Sequence, residues 1–541
     1  MSAFRIASWL MLFLGSTVLV GAQGSFVNWE NPHVHPLERA GDTLLAVNTP
    51  DNRLELFDIS SATAVPIGSV KVGIDPVSVR AFGNQAWVVN HISDSISVVD
   101  LTSLEVIATL RTGDEPCDVI FAGTTPRAFV TCSQVNEVWV YDPANFATAP
   151  IVVDIFGEDP RALAVSPDGS QVYAAVYESG NRTTILGGGL EDFGTLAFPP
   201  NVVTSPLGPY AGVNPPPNMG VDFVPNMTPG NPAPPAVGLI VRQDGSGAWL
   251  DDNNADWTDL VSGPNAAESG RQPGWHLVDH DVAVIDADAL TVSYVTDLMN
   301  LCMSLAVRPT DGAIAVVGTE ATNEIRFEPN INGTFVRVNL ALTNASGTGT
   351  TVVDLNDHLD YTVPTIPQIE RDKSIGDPRA VVYSDDGSTL YVAGMGSNNL
   401  LVLDAATGAR SGLAPTIELG EGPTGIALDE ARDRLYALNK FDASITVVDL
   451  PTQASVGTVP FYDPTPAAVR DGRFALYDTH RTSGLGQSSC GSCHIDSRMD
   501  RLAWDLGDPS GEMDPMDQNC ASLPGTPPCE DWHPMKGPMT T

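Results

Sequence analysis

A repeat of 42 residues constrains this chain more strongly than any other feature of its sequence. Two sets of equivalent positions recur at that interval: Asn48, Asn90 and Cys132, and then Asp58, Asp100 and Asp142. The spacing of ten within a unit recurs from Gly318 to Glu328, from Gly394 to Asp404 and from Asn439 to Asp449. An apolar run precedes each first position, and an alternating run such as residues 95–100 leads to the second. Short alternating strands with a period of about 40 residues are typical of β-propeller blades.

The connections between these runs support the same fold. Several units open with Gly-x-x-Pro or Gly-x-Pro: Gly73–Pro76, Gly113–Pro116, Gly157–Pro160, Gly376–Pro378 and Gly420–Pro423. The tetrapeptides Ser166–Gly169 and Ser384–Gly387 contain Asp-Gly, which favours a hairpin turn after the first strand of a blade. Counting the units predicts an all-β, seven-bladed propeller over residues 25–466.

Two stretches interrupt the repeat, at about residues 178–280 and 345–375. The first falls between strands two and three of a blade, and the second falls between blades. Both kinds of connection emerge on one face of a propeller, as does the exit from the last blade, so we expect both insertions and the C-terminal segment to share a face. Loops of this length are functional or disordered, and the sequence of the Pro-rich part, residues 198–235, favours neither reading.

The short repeats resemble those of the YVTN family of propellers. The resemblance is carried by runs such as Val88-Val-Asn90 followed by Ser97-Val-Val-Asp100. It covers most of the chain, but it specifies the fold far better than an activity.

One short run near the C-terminus carries a specific chemistry. Cys490-Gly-Ser-Cys493-His494 places two thiols one helical turn apart, where both can add to the vinyl groups of haem, and His494 can then bind the iron as proximal ligand. A zinc site would need a second ligand pair, and Cys520 and Cys529 are poorly spaced for one. A thioredoxin-like pair would need a surrounding βαβ unit, which the sequence does not predict. We therefore predict covalently bound haem c.

The sequence around this run resembles the first haem region of bacterial di-haem cytochrome c peroxidases and their MauG relatives. The matching segments are residues 472–478, 483–486 and 489–494, and further segments at 496–498, 502–507 and 533–538 resemble propeller-fused members of that group. The resemblance covers about the last 75 residues. It implies a first haem that reacts with peroxide and a second haem, in a following domain, that delivers electrons.

The chain departs from that family in one decisive respect. No second Cys-x-x-Cys-His occurs in its 541 residues, so the family's second haem and its acid–base residue cannot be assigned. We expect residues 467–541 to form a small, mainly α cytochrome c-type domain that is incomplete, with the second haem outside this chain. A minimal mono-haem domain is the alternative.

Other side chains are candidates for contact with the haem. His533, Met535 and Met539 lie far enough downstream to bind the distal side of the iron, although each could instead cap a loop or pack on the porphyrin. Trp504 is a candidate for the haem edge or for the core. Four histidines could form a separate metal cluster, but isolated positions are favoured for them: His33, His35, His276 and His280.

The remaining cysteines allow two disulfide hypotheses. Cys520 and Cys529 lie close together in a loop, where an oxidising compartment would favour a local disulfide. Cys117 and Cys132 fall at opposite ends of a predicted hairpin, so they could face each other across it. Cys302 is then left over, and we expect it to be buried.

The N-terminus is typical of an export signal at residues 1–22. Arg5 provides the positive end, residues 10–20 form an apolar core too short to span a bilayer comfortably, and residues 20–22 offer small side chains for cleavage. We expect a periplasmic, extracellular or cell-surface protein without a transmembrane span after cleavage. A retained N-terminal anchor is the alternative.

The charge excludes one class of partner. With 66 acidic against 27 basic residues the formal net charge is −39, whereas binding nucleic acid needs clustered Lys and Arg. We therefore expect no nucleic-acid partner, and the charge favours cationic partners.

Together these features predict an exported haem protein that transfers electrons. The leading hypothesis is part of a di-haem peroxidase-like oxidoreductase, with the propeller as a docking or substrate platform and a redox protein or small electron donor as partner. The alternative is a non-enzymatic propeller binding module with a mono-haem electron carrier. A quinohaemoprotein dehydrogenase ranks low because its adjacent cysteine pair is absent, and no convergent acid–base set indicates a lactonase-like propeller enzyme.

Overall fold

The computed structural model describes residues 30–61, 63–186, 239–250, 256–264, 266, 277–321, 336–361, 363, 365–498, 503–505 and 538–540. The predicted export signal lies outside the described residues. So do five of the side chains considered above: His276, Cys520, Cys529, His533 and Met535.

Seven antiparallel four-stranded units, called sheets 1 to 7 here, make up most of the described chain; sheets 4 and 5 are joined into one eight-stranded sheet by a single pair, Glu178 with Leu301. Sheets 1 to 3 contain β1 (Leu37–Ala40), β2 (Thr43–Asn48), β3 (Arg53–Asp58) and β4 (Val65–Lys71); β5 (Pro76–Phe82), β6 (Gln85–Asn90), β7 (Ser95–Asp100) and β8 (Glu105–Arg111); β9 (Pro116–Ala122), β10 (Arg127–Cys132), β11 (Glu137–Tyr141) and β12 (Ile151–Asp154). The fourth sheet contains β13 (Glu158–Val165) and β14 (Gln171–Glu178), followed after a long connection by its outer two strands.

That long connection and the later sheets contain the remaining strands of the ring. The connection holds β15 (Thr183–Leu186), β16 (Leu239–Gln243), β17 (Trp249–Leu250) and the short helix α1 (Thr258–Val261), before β18 (Val282–Asp286) and β19 (Val292–Val295) complete sheet 4. Sheets 5 to 7 contain β20 (Leu301–Val307), β21 (Ile314–Ala321), β22 (Val336–Thr343) and β23 (Thr351–Asp354); β24 (Pro378–Tyr383), β25 (Thr389–Gly394), β26 (Asn399–Asp404) and β27 (Ile417–Glu418); β28 (Pro423–Asp429), β29 (Arg434–Asn439), β30 (Ser444–Asp449) and β31 (Ala454–Pro460).

The seven sheets form a closed ring. The first strand of each sheet contacts the first strands of both neighbouring sheets, and β28 of sheet 7 contacts β1 of sheet 1. His33 joins this closure, because its ring nitrogens lie 2.8 Å from Thr424 Oγ1 and 2.6 Å from Thr49 Oγ1. The arrangement is a propeller-like all-β fold, as the repeat predicts, with the first strands lining a central channel.

An apolar cluster fills each junction between neighbouring sheets. Between sheets 2 and 3, for example, Trp87 is fully buried and meets the ring of Phe121 edge-on, with 5.4 Å between the ring centroids. Because the middle strands are covered on both faces, they read as nearly continuous apolar runs. Each fully buried large side chain contributes about 1.5–3 kcal/mol, so stability is distributed around the ring rather than held in one centre.

The two faces of the ring differ in their connections. On the entry face the first strands begin, and the connections between second and third strands also lie there. On the opposite hairpin face, tight turns join the first strand to the second. The predicted turns at Ser166–Gly169 and Ser384–Gly387 are confirmed, since the N–H groups of Gly169 and Gly387 donate to the carbonyls of Ser166 and Ser384 at 2.9 Å. Both glycines have positive φ, 72° and 71°, which other residues rarely adopt.

The predicted strand boundaries in sheet 5 are wrong. Its third strand is β22, which begins at Val336, whereas the spacing of ten from Gly318 had placed its end near Glu328. Its fourth strand, β23, lies inside the predicted second insertion, so the connection between sheets 5 and 6 is residues 355–377. The spacing rule assumed a short connection between the second and third strands, and residues 322–335 lengthen it here.

The predicted disulfide between Cys117 and Cys132 is also wrong, since both are free and buried. Cys132 pairs with Pro116 across the two strands, and a bulge lies between Val130 and Cys132. Neighbouring residues on a strand point to opposite faces, so Cys117 packs in a different apolar cluster from Cys132. Cys302 is free and buried, as expected.

The described C-terminal residues contain short helices and one small ladder. The elements after sheet 7 are α3 (Ala467–Tyr477), α4 (Thr479–Thr482), 3-10 turns at Cys490–Ser492 and Ile495–Ser497, and the paired strands β32 (Ala503–Asp505) and β33 (Pro538–Thr540). A further short helix, α2 (Gln368–Arg371), has four residues and precedes β24 in the chain. Among the described residues no helix combines the length and apolarity needed to cross a membrane.

This C-terminal segment packs on the entry face. The Thr479 N–H donates to the Gly396 carbonyl and the Ser374 hydroxyl donates to the Leu485 carbonyl, both at 2.8 Å. The connection between β14 and β18 and the connection of residues 355–377 between β23 and β24 leave the ring on the same face. Their described parts contact the C-terminal segment, since β15 and β16 lie against β32 and the Ile366 N–H donates to the Gly484 carbonyl.

Candidate functional site

Two first strands bring arginine side chains into the mouth of the central channel. Asp159-Pro-Arg161 opens β13 and Asp377-Pro-Arg379 opens β24. Both aspartates have positive φ, 59° and 51°, which Asp tolerates better than most residues, and proline suits the start of a strand because it lacks an N–H. Each arginine is held by the aspartate two positions earlier: Arg161 Nε donates at 3.0 Å and Arg379 Nε at 2.6 Å. Both guanidinium groups are buried.

Asp496 of the C-terminal segment lies between these two arginines. Its Oδ2 accepts from Arg161 Nη1 at 2.9 Å and from Arg379 Nη1 at 3.2 Å. The side chain is almost completely buried, and the backbone has φ of 51°, outside the range of a helix. Burial favours the protonated form, but the two guanidinium groups outweigh it and hold the pKa of Asp496 well below its usual range. We call Asp496 with these two Asp–Arg pairs the Asp496 cluster.

Apolar and aromatic contacts surround the cluster. The Arg161 guanidinium lies over the ring of Tyr177, 3.5 Å from its centroid. Tyr177 belongs to an apolar cluster with Ile495 and with Leu301 at the start of β20, and Cys493 packs against the same cluster. Cys493 and Ile495 therefore pack against strand ends of sheets 4 and 5, while His494 between them is exposed.

The residues just before Asp496 form one helical turn. The N–H of His494 donates to the Cys490 carbonyl at 3.0 Å, and Ser489 and Ser492 cap the turn reciprocally, side chain to backbone. Cys490 and His494 are exposed, whereas Cys493 is half-buried. Gly491 lies against Tyr477 of α3 so closely that a Cβ atom there would come within 2.5 Å of the Tyr477 ring.

Further ion pairs hold the segment to the ring. Arg498 Nη1 lies 2.7 Å from Glu115 Oε2, directly before the first strand of sheet 3, and the same carboxylate oxygen lies 3.5 Å from His91 Nε2. Arg473 of α3 pairs with Glu30 at 3.0 Å. Together with the Asp496 cluster, these pairs connect the segment to sheets 3, 4 and 6.

A small polar cavity opens at the seam between sheets 4 and 5. Its volume is about 190 Å³, and its lining includes Arg182, Asp279, Asp297 and Glu320. Arg182 pairs with both aspartates, at 3.0 Å and 2.7 Å. Burial raises the pKa of Glu320 to about 7. Most of the charged groups that line this cavity are therefore paired with one another.

The structure brings some of the predicted site residues together. Cys490, Cys493 and His494 share one turn. Trp504 in β32 is the backbone partner of Met539 in β33, and this ladder lies against β15 and β16 of the large insertion. His533 and Met535 lie outside the described residues.

The histidine cluster that the sequence allowed does not form among the residues described. His33 binds two threonines, His35 lies beside Arg80, and His280 stacks on Tyr294 with 3.9 Å between ring centroids. Across the described part of the chain, no group of His, Cys, Asp and Glu is arranged to hold a metal ion.

Sequence reasoning missed three residues of the site: Arg161, Arg379 and Asp496. A signal was present, because Asp-Pro-Arg occurs twice at equivalent places in the repeat. Three of the other five units have Asp-Pro-Val at 75–77, Glu-Pro-Cys at 115–117 and Gly-Pro-Thr at 422–424. The fold does not require arginine at this buried position, so its presence in only two units indicates a specific role for those two residues.

No protein-family model and no curated protein sequence matches the chain. Among solved structures, it is similar to hydrazine synthase of Kuenenia stuttgartiensis, with 18% identity and a TM-score of 0.49, over 79% of this chain and 98% of that one. It is also similar to a functionally unknown protein of Desulfotomaculum acetoxidans, with 12% identity and a TM-score of 0.42, over 77% of this chain and 95% of that one. At these values the likenesses say nothing about function.

Proposed function

We propose that this chain is an exported c-type haem protein that transfers electrons, with haem c bound through Cys490, Cys493 and His494. The observation that carries the proposal is the turn itself. Its two cysteines and its histidine lie within one turn, the histidine is exposed, and the other side of the turn is fixed to the entry face through Ile495 and Asp496.

The residues present fit this prosthetic group. Thiols spaced as Cys-x-x-Cys on one turn can each form a thioether with a vinyl group, and the next residue, His494, supplies an imidazole nitrogen for the iron. When bound, the haem would supply one-electron redox chemistry. Cys490, Cys493 and His494 would hold and orient it, and the apolar cluster around Tyr177 excludes water from the inner side of the turn.

The finer function is a di-haem peroxidase-like oxidoreductase, with a second haem outside this chain and a redox protein or small molecule as electron donor. The resemblance of residues 472–494 to the first haem region of such enzymes supports it. His533, Met535 and Met539 remain candidates for the distal ligand, and Trp504 for the haem edge. A mainly α cytochrome c-type domain over residues 467–541 belongs to the same proposal.

The experiment is maturation of the full chain in a host that has a cytochrome c assembly system. We expect one covalent haem per chain in the pyridine haemochrome assay, and a matching mass increase of the intact protein. Cys490→Ala with Cys493→Ala should abolish covalent attachment, whereas Cys302→Ala, which changes a buried free cysteine, should retain it. Unaltered protein that carries no covalent haem would refute the proposal.

The same preparation separates the two functional alternatives. Rapid binding of cyanide to the ferric protein would indicate an open iron position and favour the peroxidase-like enzyme. Slow or absent binding would indicate a firmly bound sixth ligand and favour an electron carrier.

A further inference from the structure

We infer that Asp496 is a positioning residue for His494, and that the arginines of the channel mouth hold the haem-binding turn in one orientation. This inference rests on the proposed haem function. It assigns to the ring a role within the haem site itself, as the support of the proximal ligand, in addition to any role as a docking platform.

The first step is the connection between Asp496 and the ligand. One residue, Ile495, separates Asp496 from His494, and Ile495 is buried in the cluster with Tyr177 and Leu301. The left-handed backbone at Asp496 turns its carboxylate into the channel while His494 stays exposed on the outer side. Any rotation of the histidine backbone must therefore move a buried carboxylate.

The second step is the rigidity of the partners. Arg161 and Arg379 each bind their own aspartate as well as Asp496, so neither guanidinium is free to follow the carboxylate if it moves. The arginines lie on first strands of sheets 4 and 6, which are fixed by the ring. Planar guanidinium groups donate in fixed directions, and that geometry restricts where Asp496 can lie.

The third step separates positioning from simple charge. The cluster contains three carboxylates and two guanidinium groups, so it adds little net charge near the turn. If the cluster acted on the haem only through charge, loss of Asp496 and loss of an arginine would have opposite effects. If it positions His494, both losses should have the same effect, because both release the turn.

The test compares Asp496→Asn and Arg379→Gln with Arg308→Gln, which removes an arginine from an exposed pair with Asp311. Hydrogen exchange of residues 489–498, measured before haem is attached, should be faster by about tenfold or more in the first two variants and unchanged in the control. In the matured proteins, the ferric electron paramagnetic resonance spectrum of both cluster variants should show more than one species, and the reduction potential should shift in the same direction.

Several outcomes would overturn the inference while leaving the proposed function intact. One is covalent haem in all variants with unchanged exchange and unchanged spectra. Another is potential shifts of opposite sign with a single unchanged spectrum, which would indicate a charge effect alone. If Asp496→Asn does not fold, Arg161→Lys, which keeps the charge but not the planar donors, should give the same exchange and spectral changes in milder form. Absence of haem from the unaltered protein would refute the proposed function, and with it any role of the cluster toward haem.

Discussion

Aspartate side chains have opposite roles on the entry face and on the hairpin face of the ring. On the hairpin face, Asp168 and Asp386 are exposed, and each accepts hydrogen bonds from serines of its own turn. On the entry face, Asp159, Asp377 and Asp496 are buried and bind arginines, and Asp496 joins two segments that are distant from it in the chain. One kind of side chain thus forms turns locally on one face and assembles separate parts of the molecule on the other.

The difference has an energetic consequence. An exposed carboxylate that accepts hydrogen bonds from its own turn contributes little to stability, because water replaces most of those hydrogen bonds when the carboxylate is removed. A buried carboxylate or guanidinium is stabilised by its partner, because removal of that partner leaves a buried charge that water cannot solvate. Substitutions on the two faces should therefore differ in size and in pH dependence.

Arg379→Gln should have the largest effect. It leaves Asp377 and Asp496 buried with less compensation, and breaking a buried pair costs about 3–5 kcal/mol. Urea unfolding of the protein without haem should show that loss, and Arg308→Gln, on an exposed pair, should cost about 1 kcal/mol or less. Adding Asp496→Asn to Arg379→Gln should recover part of the stability. Equal losses for Arg379→Gln and Arg308→Gln would show that the two faces do not differ.

Gly376→Ala should release the C-terminal segment from the entry face. A Cβ atom at Gly376 would come within 2.5 Å of Thr479 Cγ2 and 3.0 Å of the Gln487 carbonyl, so the segment must move, at a cost of about 1–3 kcal/mol. Limited proteolysis should then cleave within residues 478–498 faster than in the unaltered protein.

Gly457→Ala is the matched control for that experiment. Gly457 lies on the exposed strand β31, and a Cβ atom there would meet nothing within 4 Å. This variant should keep the original cleavage rate in the C-terminal segment. Equal protection of the segment in Gly376→Ala would mean that it is not held against Gly376 in solution.

The sequence predicts the ring well because its signals are local. The markers Asn48, Asn90 and Cys132 each end a second strand, and the Asp-Gly turns at Gly169 and Gly387 form as expected. Strand alternation and turn chemistry act over a few residues, so they can be recognised without knowing the fold.

The site is harder to predict because it joins distant parts of the chain. Arg161 and Asp496 are 335 residues apart, and nothing near either residue in sequence identifies its partner. The wrong disulfide has a similar cause, since the bulge beside Cys132 shifts the register by an amount that spacing cannot show. The Cys490–His494 run can be recognised from sequence alone because it consists of five consecutive residues, and its binding of haem stays a prediction.

Asp75→Asn should stabilise the protein at neutral pH, by a smaller amount than Arg379→Gln destabilises it. Burial raises the pKa of Asp75 to about 6, against hydrogen bonding from Asn31 and the charge of Lys440. Between about pH 4 and 6 the folded state therefore binds more protons than the unfolded state, and stability falls as the pH rises. Asn accepts the same hydrogen bond and tolerates the positive φ of 56° at this position.

The measurement is urea unfolding of Asp75→Asn and the unaltered protein at pH 5 and pH 8. The advantage of the variant should grow with pH, reaching about 1–3 kcal/mol at pH 8. A constant difference between the two pH values would mean that Asp75 is already ionised at pH 5, as an exposed carboxylate would be.

Asp386→Asn, on the hairpin face, should have the smallest effect and the opposite sign. The Ser384 and Ser388 hydroxyls donate to Asp386 Oδ1 at 2.7 Å, and these hydrogen bonds with the Ser388 N–H lower its pKa to about 2. The carboxylate therefore adds stability above about pH 4, and that contribution is lost as the pH falls toward 2. Thermal unfolding should show the variant slightly less stable at pH 7, with the difference shrinking at the lowest pH at which both proteins remain folded. Since Asn can still accept these hydrogen bonds, the variant loses only the part of their stabilisation that depends on the negative charge. A large loss of stability at pH 7 would mean that this turn, like the channel mouth, holds distant parts of the ring together.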